Sequence, residues 1–515
     1  MRITSRNLPV KYEPKSSLMS DTYDLLIIGG GINGTAIARD AAGRGLSVLL
    51  CEKDDLANHT SSASTKLIHG GLRYLEYYEF RLVRESLKER EVLLRSAPHI
   101  IWPLRFILPY DKGLRPAWLL RLGLFIYDNL GGRKLLPATK TLNLTKNQHK
   151  GILKSRLKKG FEYSDCWVQD SRLVVLNAVD AKERGADIRT RTEVLSLNTS
   201  NGRYEADIVE NGQTRKVTAK AIVNSAGPWV EEVLYKLKRN QNSAGLRLVK
   251  GSHIVTKRLY EGDHCYIFQN ADDRIIFAIP YEQNYTLIGT TDVSHETGAG
   301  PVKITDEEVS YLCNAASEYF TKPIVKEDVI WTYSGVRPLY DDQSENASAV
   351  TRDYVFKTEE FTESAPFLSI YGGKITTSRK LAEHAMEKLT PYFEGVTAPW
   401  TRDACLPGGD IKDTDFQSFY EEMKTIYPNV PHSVLNHLAR AYGTKIHELM
   451  ELSDSELGEM FGKFLSEAEI NYLVQKEWAK SADDILWRRT KLGLHMSQDE
   501  QTNFQNWFSK KINHK

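Results

Sequence analysis

The chain has no long hydrophobic run. None of its 515 residues lies in a stretch of 18 or more consecutive apolar residues, so we expect no helix that spans a bilayer. The first 20 residues carry four basic side chains and the single acid Glu13, and they lack the apolar middle of a secretory signal. We therefore expect residues 1–22 to form a disordered tail.

Cysteine and net charge are also scarce. The five cysteines are widely scattered and form no CxxC pair, which argues against a disulfide framework or a zinc site, and no metal is expected. The 68 basic and 67 acidic side chains leave a net charge of +1, which gives no support to nucleic-acid binding. The composition is that of an ordinary globular enzyme with two or three domains.

The clearest motif lies between residues 24 and 54, DLLIIGGGINGTAIARDAAGRGLSVLLCEKD. A short apolar strand runs into Gly29-x-Gly31-x-x-Gly34, which opens a helix containing Asn33, and a second strand ends at Glu52. The glycines allow a tight turn, close approach of a pyrophosphate and close helix–strand packing. Glu52 can accept hydrogen bonds from ribose hydroxyls and would repel a 2′-phosphate. The motif predicts a site for FAD or NAD and disfavours NADP.

Later segments favour FAD. A long hydroxyl-rich loop after Glu52 offers Ser62, Ser64, Thr65, Lys66 and His69 as cofactor contacts, where an NAD domain would continue into its next strand. The apolar strand at residues 221–224 is followed by Ser225-Ala226-Gly227, and the strand at residues 368–371 is followed by Gly372-Gly373-Lys374. Each of these glycine turns would lie beside the negatively charged cofactor. The predicted cofactor contacts in these later segments are Val194, Ala226, Gly227, Gly373, Lys374 and Thr376.

These elements predict a discontinuous α/β, Rossmann-like FAD-binding domain made of residues 23–95, 160–230 and 335–395. Residues 251–292 are rich in β-branched and aromatic side chains, which indicates an antiparallel sheet. We assign residues 96–159 and 231–334 to an inserted α+β substrate domain. Residues 400–515 are predicted to form an all-helical C-terminal domain.

Several strings together resemble one family, the FAD-dependent glycerol-3-phosphate dehydrogenases of the bacterial type. They are TSSASTKLIHGGLRYLE, FEYSDCWV, KGSHIV, IGTTD, WTYSGVRPL, YGGKITTSRKLAEHA and ADDILWRRTKLGL. The resemblance implies a fold of the D-amino-acid-oxidase/glutathione-reductase type and non-covalent FAD. It also implies oxidation of sn-glycerol 3-phosphate to dihydroxyacetone phosphate, with hydride transfer to flavin N5 and electrons passed to a membrane quinone.

A phosphate ester near its dianionic form needs cationic donors. Arg73, Arg337 and Lys374 each lie beside glycines and are the candidates, with Tyr74 and Thr376 as hydrogen-bonding partners of the substrate. Oxidation of the alcohol also requires a base, and His253 is the candidate, although a packed structural histidine is the alternative. Arg337 is a second catalytic candidate, because it can lower the pKa of the hydroxyl.

Residues 100–134 mix bulky apolar and aromatic residues with six basic residues. The mixture suits contact with an anionic membrane, and the alternative is a core helix with snorkelling arginines. We expect a bacterial protein attached peripherally to the cytoplasmic face of the inner membrane, and a homodimer stays open. Rival functions are an oxidase that uses O2, a related 2-hydroxyacid or amine oxidoreductase, and a non-catalytic flavin-binding protein.

Overall fold

Strongly apolar strands form the centre of the first sheet. Its order is β17-β18-β10-β1-β2-β7, with β8 and β9 continuing from β10. The strands from β18 to β7 are parallel. The bounds are β1 Thr22–Ile28, β2 Val48–Glu52, β7 Asp187–Thr190, β8 Thr192–Ser200, β9 Arg203–Glu210, β10 Gln213–Asn224, β17 Val355–Thr362 and β18 Ala365–Tyr371.

The structure is a computed structural model that describes residues 21–111, 114–236, 245–272, 274–341, 353–362, 365–453 and 456–513. Nearly all of the predicted N-terminal tail lies outside these ranges. Within them, no helix is long and apolar enough to cross a membrane.

Helices cover one face of the first sheet. The helices α1 (Ile32–Gly43), α4 (Asp170–Glu183) and α7 (Ser378–Leu389) bury alanine, valine and leucine side chains against β1, β2 and β18. The opposite face is covered by β8 and β9. The hairpin predicted at Asn211-Gly212 is confirmed, and both residues have positive φ, as its tight turn requires.

The second sheet has the order β15-β11-β14-β13-β12-β4-β6-β3, with β16 paired to β11 and β5 paired to β6. Its pairs are antiparallel except for β12 with β4. The bounds are β3 Leu67–Ile68, β4 Ile101–Tyr110, β5 Lys140–Asn143, β6 Lys159–Val168, β11 Leu246–Lys257, β12 Cys265–Gln269, β13 Ile275–Tyr281, β14 Tyr285–Gly289, β15 Val293–Ser294 and β16 Val329–Tyr340.

The predicted domain boundaries differ from the sheet membership at three places. Strand β3, nearly all of β6 and half of β16 fall in segments assigned to the FAD-binding domain, yet all three belong to the second sheet. The reason is long-range pairing: β6 follows β4 over ten residue pairs, and β16 follows β11 along most of its length. Local sequence does not reveal such partners.

The remaining helices complete the two layers and the C-terminal domain. They are α2 Phe80–Ser96, α3 Ala117–Leu130, α5 Val230–Lys236, α6 Asp306–Ser317, α8 Phe416–Ile426, α9 His432–Tyr442, α10 Ile446–Glu451, α11 Glu467–Lys476 and α12 Gln498–Asn513. The predicted helical C-terminal domain is confirmed, except that it also contains the short strand pair β19 (Met460–Phe461) and β20 (Leu465–Ser466). It also contains a π-helical turn at Asp484–Arg489.

Candidate active site

Three glycine turns meet at one edge of the first sheet. They follow the carboxyl ends of β1, β10 and β18, which are parallel neighbours. The side-chain amide of Asn33 donates a 3.1 Å hydrogen bond to the Gly372 carbonyl and joins the first turn to the third. The sequence-distant segments predicted to share one cofactor therefore lie side by side.

The first glycine turn has no room for side chains. Gly29 has a φ of 110°, and a Cβ there would lie 2.7 Å from the Ser225 carbonyl oxygen. A Cβ on Gly34 would overlap the Gly29 carbonyl oxygen. Helix α1 begins at this turn, and its first amide, that of Ile32, donates a 3.0 Å hydrogen bond to the Ser61 hydroxyl. Gly31, Ile32 and Asn33 line the cleft that the three turns enclose.

The cleft has a volume of about 1280 Å³, including the space at its open mouth. Of the predicted cofactor contacts, it is lined by Gly29, Gly31, Asn33, Glu52, Val194, Ala226, Gly227 and Gly373. The side-chain oxygen of Asn33 is buried and has no hydrogen-bond partner among the described residues. A ligand with hydrogen-bond donors at this point would satisfy it.

Glu52 lines one wall of the cleft. Its carboxylate accepts hydrogen bonds from the amides of Gly30 (2.6 Å) and Asp54 (2.8 Å), which fixes its orientation. Burial raises the pKa of Glu52, and these two bonds oppose the rise. Carboxylate oxygens accept more than one bond each, so Glu52 keeps the capacity to receive ribose hydroxyls.

The hydroxyl-rich loop uses part of its polar side chains internally. The ammonium group of Lys66 and the hydroxyl of Ser64 both bind the buried carboxylate of Asp170, each at 2.8 Å. The Ser62 hydroxyl donates to the His59 carbonyl. A carboxylate as buried as Asp170 requires a charged partner, which explains why Lys66 turns inward. The sequence predicts these three side chains as cofactor contacts, and the structure gives their polar groups these protein partners.

His253 lies on β11 of the second sheet and contacts the hydroxyl-rich loop. His253 is 1% exposed, and its Nε2 lies 3.0 Å from the Thr65 hydroxyl. Its ring stacks on Tyr333 with centroids 4.6 Å apart, and its Nδ1 has no hydrogen-bond partner among the described residues. Burial lowers the pKa of His253 well below its ordinary value, and the positive charges of Arg337 and Lys66 add to the effect. The ring is therefore neutral near pH 7.

Arg337 reaches across β11 from the adjacent strand. Its guanidinium pairs with Asp292 and donates to the Thr290 hydroxyl at 3.2 Å. Gly251 leaves the necessary space, because a Cβ there would lie 2.7 Å from Nη2 of Arg337. The guanidinium is about one quarter exposed, so donors beyond those used by Asp292 and Thr290 can meet a ligand.

The other predicted substrate contacts divide into two places. The ammonium group of Lys374 lies 3.8 Å from the ring centroid of Tyr74, and the Thr376 hydroxyl accepts a 3.2 Å bond from the His69 amide. These contacts join the third glycine turn to residues 69–74. Arg73 instead donates to the Tyr77 hydroxyl and borders an apolar groove beside α3.

Residues outside the predicted set also shape the site. Tyr333, Asp292 and Asp170 hold His253, Arg337 and Lys66 respectively. Two of them lie in strings that carry the family resemblance: Asp292 ends IGTTD, and Tyr333 lies within WTYSGVRPL. Asp170 had none, because its partner is distant in sequence.

The chain is similar to several known proteins. The model for FAD dependent oxidoreductases matches residues 24–379, and that for the C-terminal domain of alpha-glycerophosphate oxidase matches residues 399–505. D-erythritol 1-phosphate dehydrogenase of Brucella abortus is 52% identical over 95% of this chain and 98% of its own. Aerobic glycerol-3-phosphate dehydrogenase of Escherichia coli is 48% identical over 95% and 97%. The glycerol-3-phosphate dehydrogenase of Bacillus halodurans, solved with FAD, has a TM-score of 0.71 at 26% identity and covers 95% of this chain and 94% of its own.

The comparisons confirm the predicted cofactor and fold class. The residues of the cleft fit FAD: the α1 amides and the crowded glycines suit its pyrophosphate, and Glu52 suits its ribose. The unpartnered oxygen of Asn33 lies on the same wall.

We predict that Gly34→Ala abolishes FAD retention, because its Cβ would push the Gly29 carbonyl and open the turn. The measurement is the ratio of flavin absorbance to protein in the purified chain. Gly123→Ala is the matched control, since Gly123 lies in α3 with no atom within 4 Å of an added Cβ. Equal flavin content in the two variants would contradict the assignment of this turn.

Proposed function

The chain belongs to the FAD-dependent oxidoreductases of the glycerol-3-phosphate dehydrogenase family, and from this premise we propose that it oxidises sn-glycerol 3-phosphate to dihydroxyacetone phosphate. The observation that carries the proposal is a buried imidazole, His253, and a partly exposed guanidinium, Arg337, on the adjacent strands β11 and β16, where Pro338 of β16 lines the cleft. An alcohol oxidation needs a base for the hydroxyl proton, and a phosphate ester needs a cation.

Arg337 and Lys374 are the proposed phosphate-binding and substrate-orienting cations. Arg337 offers a planar fork suited to phosphate oxygens, and its pairing with Asp292 fixes the direction of that fork. Lys374 adds a point charge above Tyr74. Tyr74 and Thr376 would supply neutral hydrogen bonds to the polyol. Arg73 is a weaker candidate, because its guanidinium is directed towards Tyr77.

His253 is the proposed base. Its Nε2 lies beside the Thr65 hydroxyl, so a proton on Nε2 would be donated to Thr65 and Nδ1 would be left to accept the substrate proton. Stacking on Tyr333 fixes the plane of the ring. FAD, when bound, supplies the acceptor for the hydride that leaves the same carbon.

A second substrate is favoured by one specific observation. The relative with 52% identity is named for D-erythritol 1-phosphate, a longer polyol that shares the phosphate ester and the secondary alcohol. The proposed base and cations would serve either molecule. The rates of flavin reduction by the shorter and the longer polyol phosphate must therefore be compared.

The first experiment is anaerobic reduction of the bound flavin. We expect sn-glycerol 3-phosphate to bleach its absorbance, with glycerol, lactate and sarcosine as controls that lack the phosphate. Faster bleaching by D-erythritol 1-phosphate would assign the longer substrate. Bleaching by lactate or sarcosine alone would contradict the phosphate requirement, and oxygen uptake without quinone would identify an oxidase.

We predict that His253→Ala slows flavin reduction about 100-fold or more, because proton removal loses its base. His432→Ala is the control, since His432 is exposed at the start of the C-terminal helix α9. The lowered pKa of His253 means that its neutral form persists as the pH falls from 8 through 6.5. Protonation of His253 should therefore not lower the wild-type rate of flavin reduction between pH 8 and pH 6.5. A loss below tenfold in His253→Ala would remove this residue from the mechanism.

Electron delivery to a membrane quinone is a further part of the proposal. Residues 101–110 form the strand β4, which lies in the second sheet, whereas α3 presents an apolar outer face. Trp118 and Phe125 on that face are 69% and 58% exposed, with Leu122 and Ile126 beside them. Arg115, just before the helix, is more than half exposed and pairs with Glu76, and its exposed guanidinium suits an anionic lipid surface.

We predict that Trp118→Ser combined with Phe125→Ser lowers co-sedimentation with anionic phospholipid vesicles at least tenfold. The lost interaction is apolar burial in the interface, so flavin content should stay unchanged. Ile426→Ser, at a similarly exposed apolar position in α8, is the control. Unchanged sedimentation of the double variant would show that α3 is not the anchor.

A further inference from the structure

The π-helical turn Asp484–Arg489 joins the C-terminal domain to the FAD-binding domain at two loops. It also reaches the second sheet, where Trp487 stacks on Trp331 of β16 with centroids 5.2 Å apart. π-Helical turns are rare and often occur at functional sites. The turn is therefore a natural place to look for a role of the C-terminal domain.

The first loop is the one that follows Glu52. Asp55, which is 2% exposed, accepts bonds from Arg488 (2.6 Å) and from both terminal nitrogens of Arg489 (2.7 and 2.8 Å). Two residues later, the Ala57 amide donates to the Gly30 carbonyl, which ties the loop to the first glycine turn. The arginines of the C-terminal domain thus hold the segment that orients Glu52.

The second loop joins β7 to β8. Arg191 donates to both oxygens of Asp484 at 2.8 and 2.7 Å, and its amide donates to the Asp54 carbonyl at 2.8 Å. The next residues, Thr192 to Val194, line the FAD cleft. One turn of the C-terminal domain therefore holds two neighbouring walls of the cleft, and those walls are also bonded to each other.

The charges in this contact are buried. Asp484 and Arg489 are completely buried. Burial would raise the pKa of Asp484, but bonds from Ser481 and Lys480 and the charges of Arg488 and Arg191 hold it at about 2. Separation of the domains would leave buried ionic groups without partners, which is strongly unfavourable unless the loops rearrange. Loop conformation and domain docking are thus linked.

We propose that the turn Asp484–Arg489 is a positioning element of the FAD site, so that docking of the C-terminal domain and FAD binding stabilise each other. The element acts through Asp55 and Arg191 on the ribose side of the cleft and does not contact the substrate. The proposal concerns the affinity for FAD and is independent of which polyol phosphate is oxidised.

The test compares FAD dissociation constants of apoproteins, measured by flavin fluorescence. Arg488→Gln removes one donor to Asp55 at a partly exposed position, and Arg489→Lys keeps the charge but loses the fork. Lys445→Gln is the control: Lys445 forms an interdomain ion pair with Glu183 of α4 at 2.7 Å, and this pair involves neither loop. Arg488→Lys is the conservative rescue.

We expect a Kd for FAD at least fivefold higher in Arg488→Gln and Arg489→Lys, a partial recovery in Arg488→Lys, and a change below twofold in Lys445→Gln. FAD should also slow hydrogen exchange in residues 416–453 and 456–513 of the unmodified chain, and slow it less in Arg488→Gln. Equal Kd values in all variants, or no effect of FAD on exchange in those helices, would overturn the proposal. Neither readout uses a substrate, so a failure of the proposed reaction would be seen separately.

Discussion

The parallel pairing of β10 with both β1 and β18 is the constraint on which the rest of the site depends. Asn224, the last residue of β10, lies opposite Ile28 of β1 and Ser369 of β18. This register brings three chain reversals to one edge, where each has a glycine at its tightest point. Ligands of open α/β sheets bind at that edge, outside the carboxyl ends of the strands. A register shift in any pair would separate the glycine turns.

Ion pairs then fix the segments around the cleft; two of the three are buried, and the third, Arg337 with Asp292, is one quarter exposed. Lys66 with Asp170 holds the hydroxyl-rich loop, Arg337 with Asp292 holds the cationic wall, and Arg489 with Asp55 holds the ribose side. Each pair joins segments that are distant in sequence. Such pairs add little net stability, but breaking one leaves an uncompensated charge, so they select one arrangement of the loops. The candidate catalytic residues His253 and Arg337 lie on strands next to these segments.

Local signals were sufficient to predict part of the structure. The glycine turn at Gly29–Gly34, the hairpin at Asn211-Gly212 and the amphipathic helix α2 each follow from residues within one short window. The FAD cofactor and the fold class were also predicted and are confirmed by the comparisons. The functional roles of His253, Arg337 and Lys374 stay predictions that the experiments above address.

Long-range contacts were beyond prediction from local patterns. Nothing near Lys66 indicated that its ammonium group would pair with Asp170. The assignment of β6 to the second sheet depends on its pairing with β4, and the contact of Arg489 with Asp55 depends on the docking of a whole domain. In each case a distant partner decides between two orientations that the local sequence allows equally.

The most direct test of the account is a crystal structure of the FAD-bound protein. We expect the pyrophosphate to lie against Gly29–Gly34 and a ribose hydroxyl to bind Glu52. We expect the flavin ring to lie between the third glycine turn and the surface that carries His253 and Arg337. A flavin ring placed away from His253 and Arg337, or a pyrophosphate bound elsewhere than the first glycine turn, would contradict it.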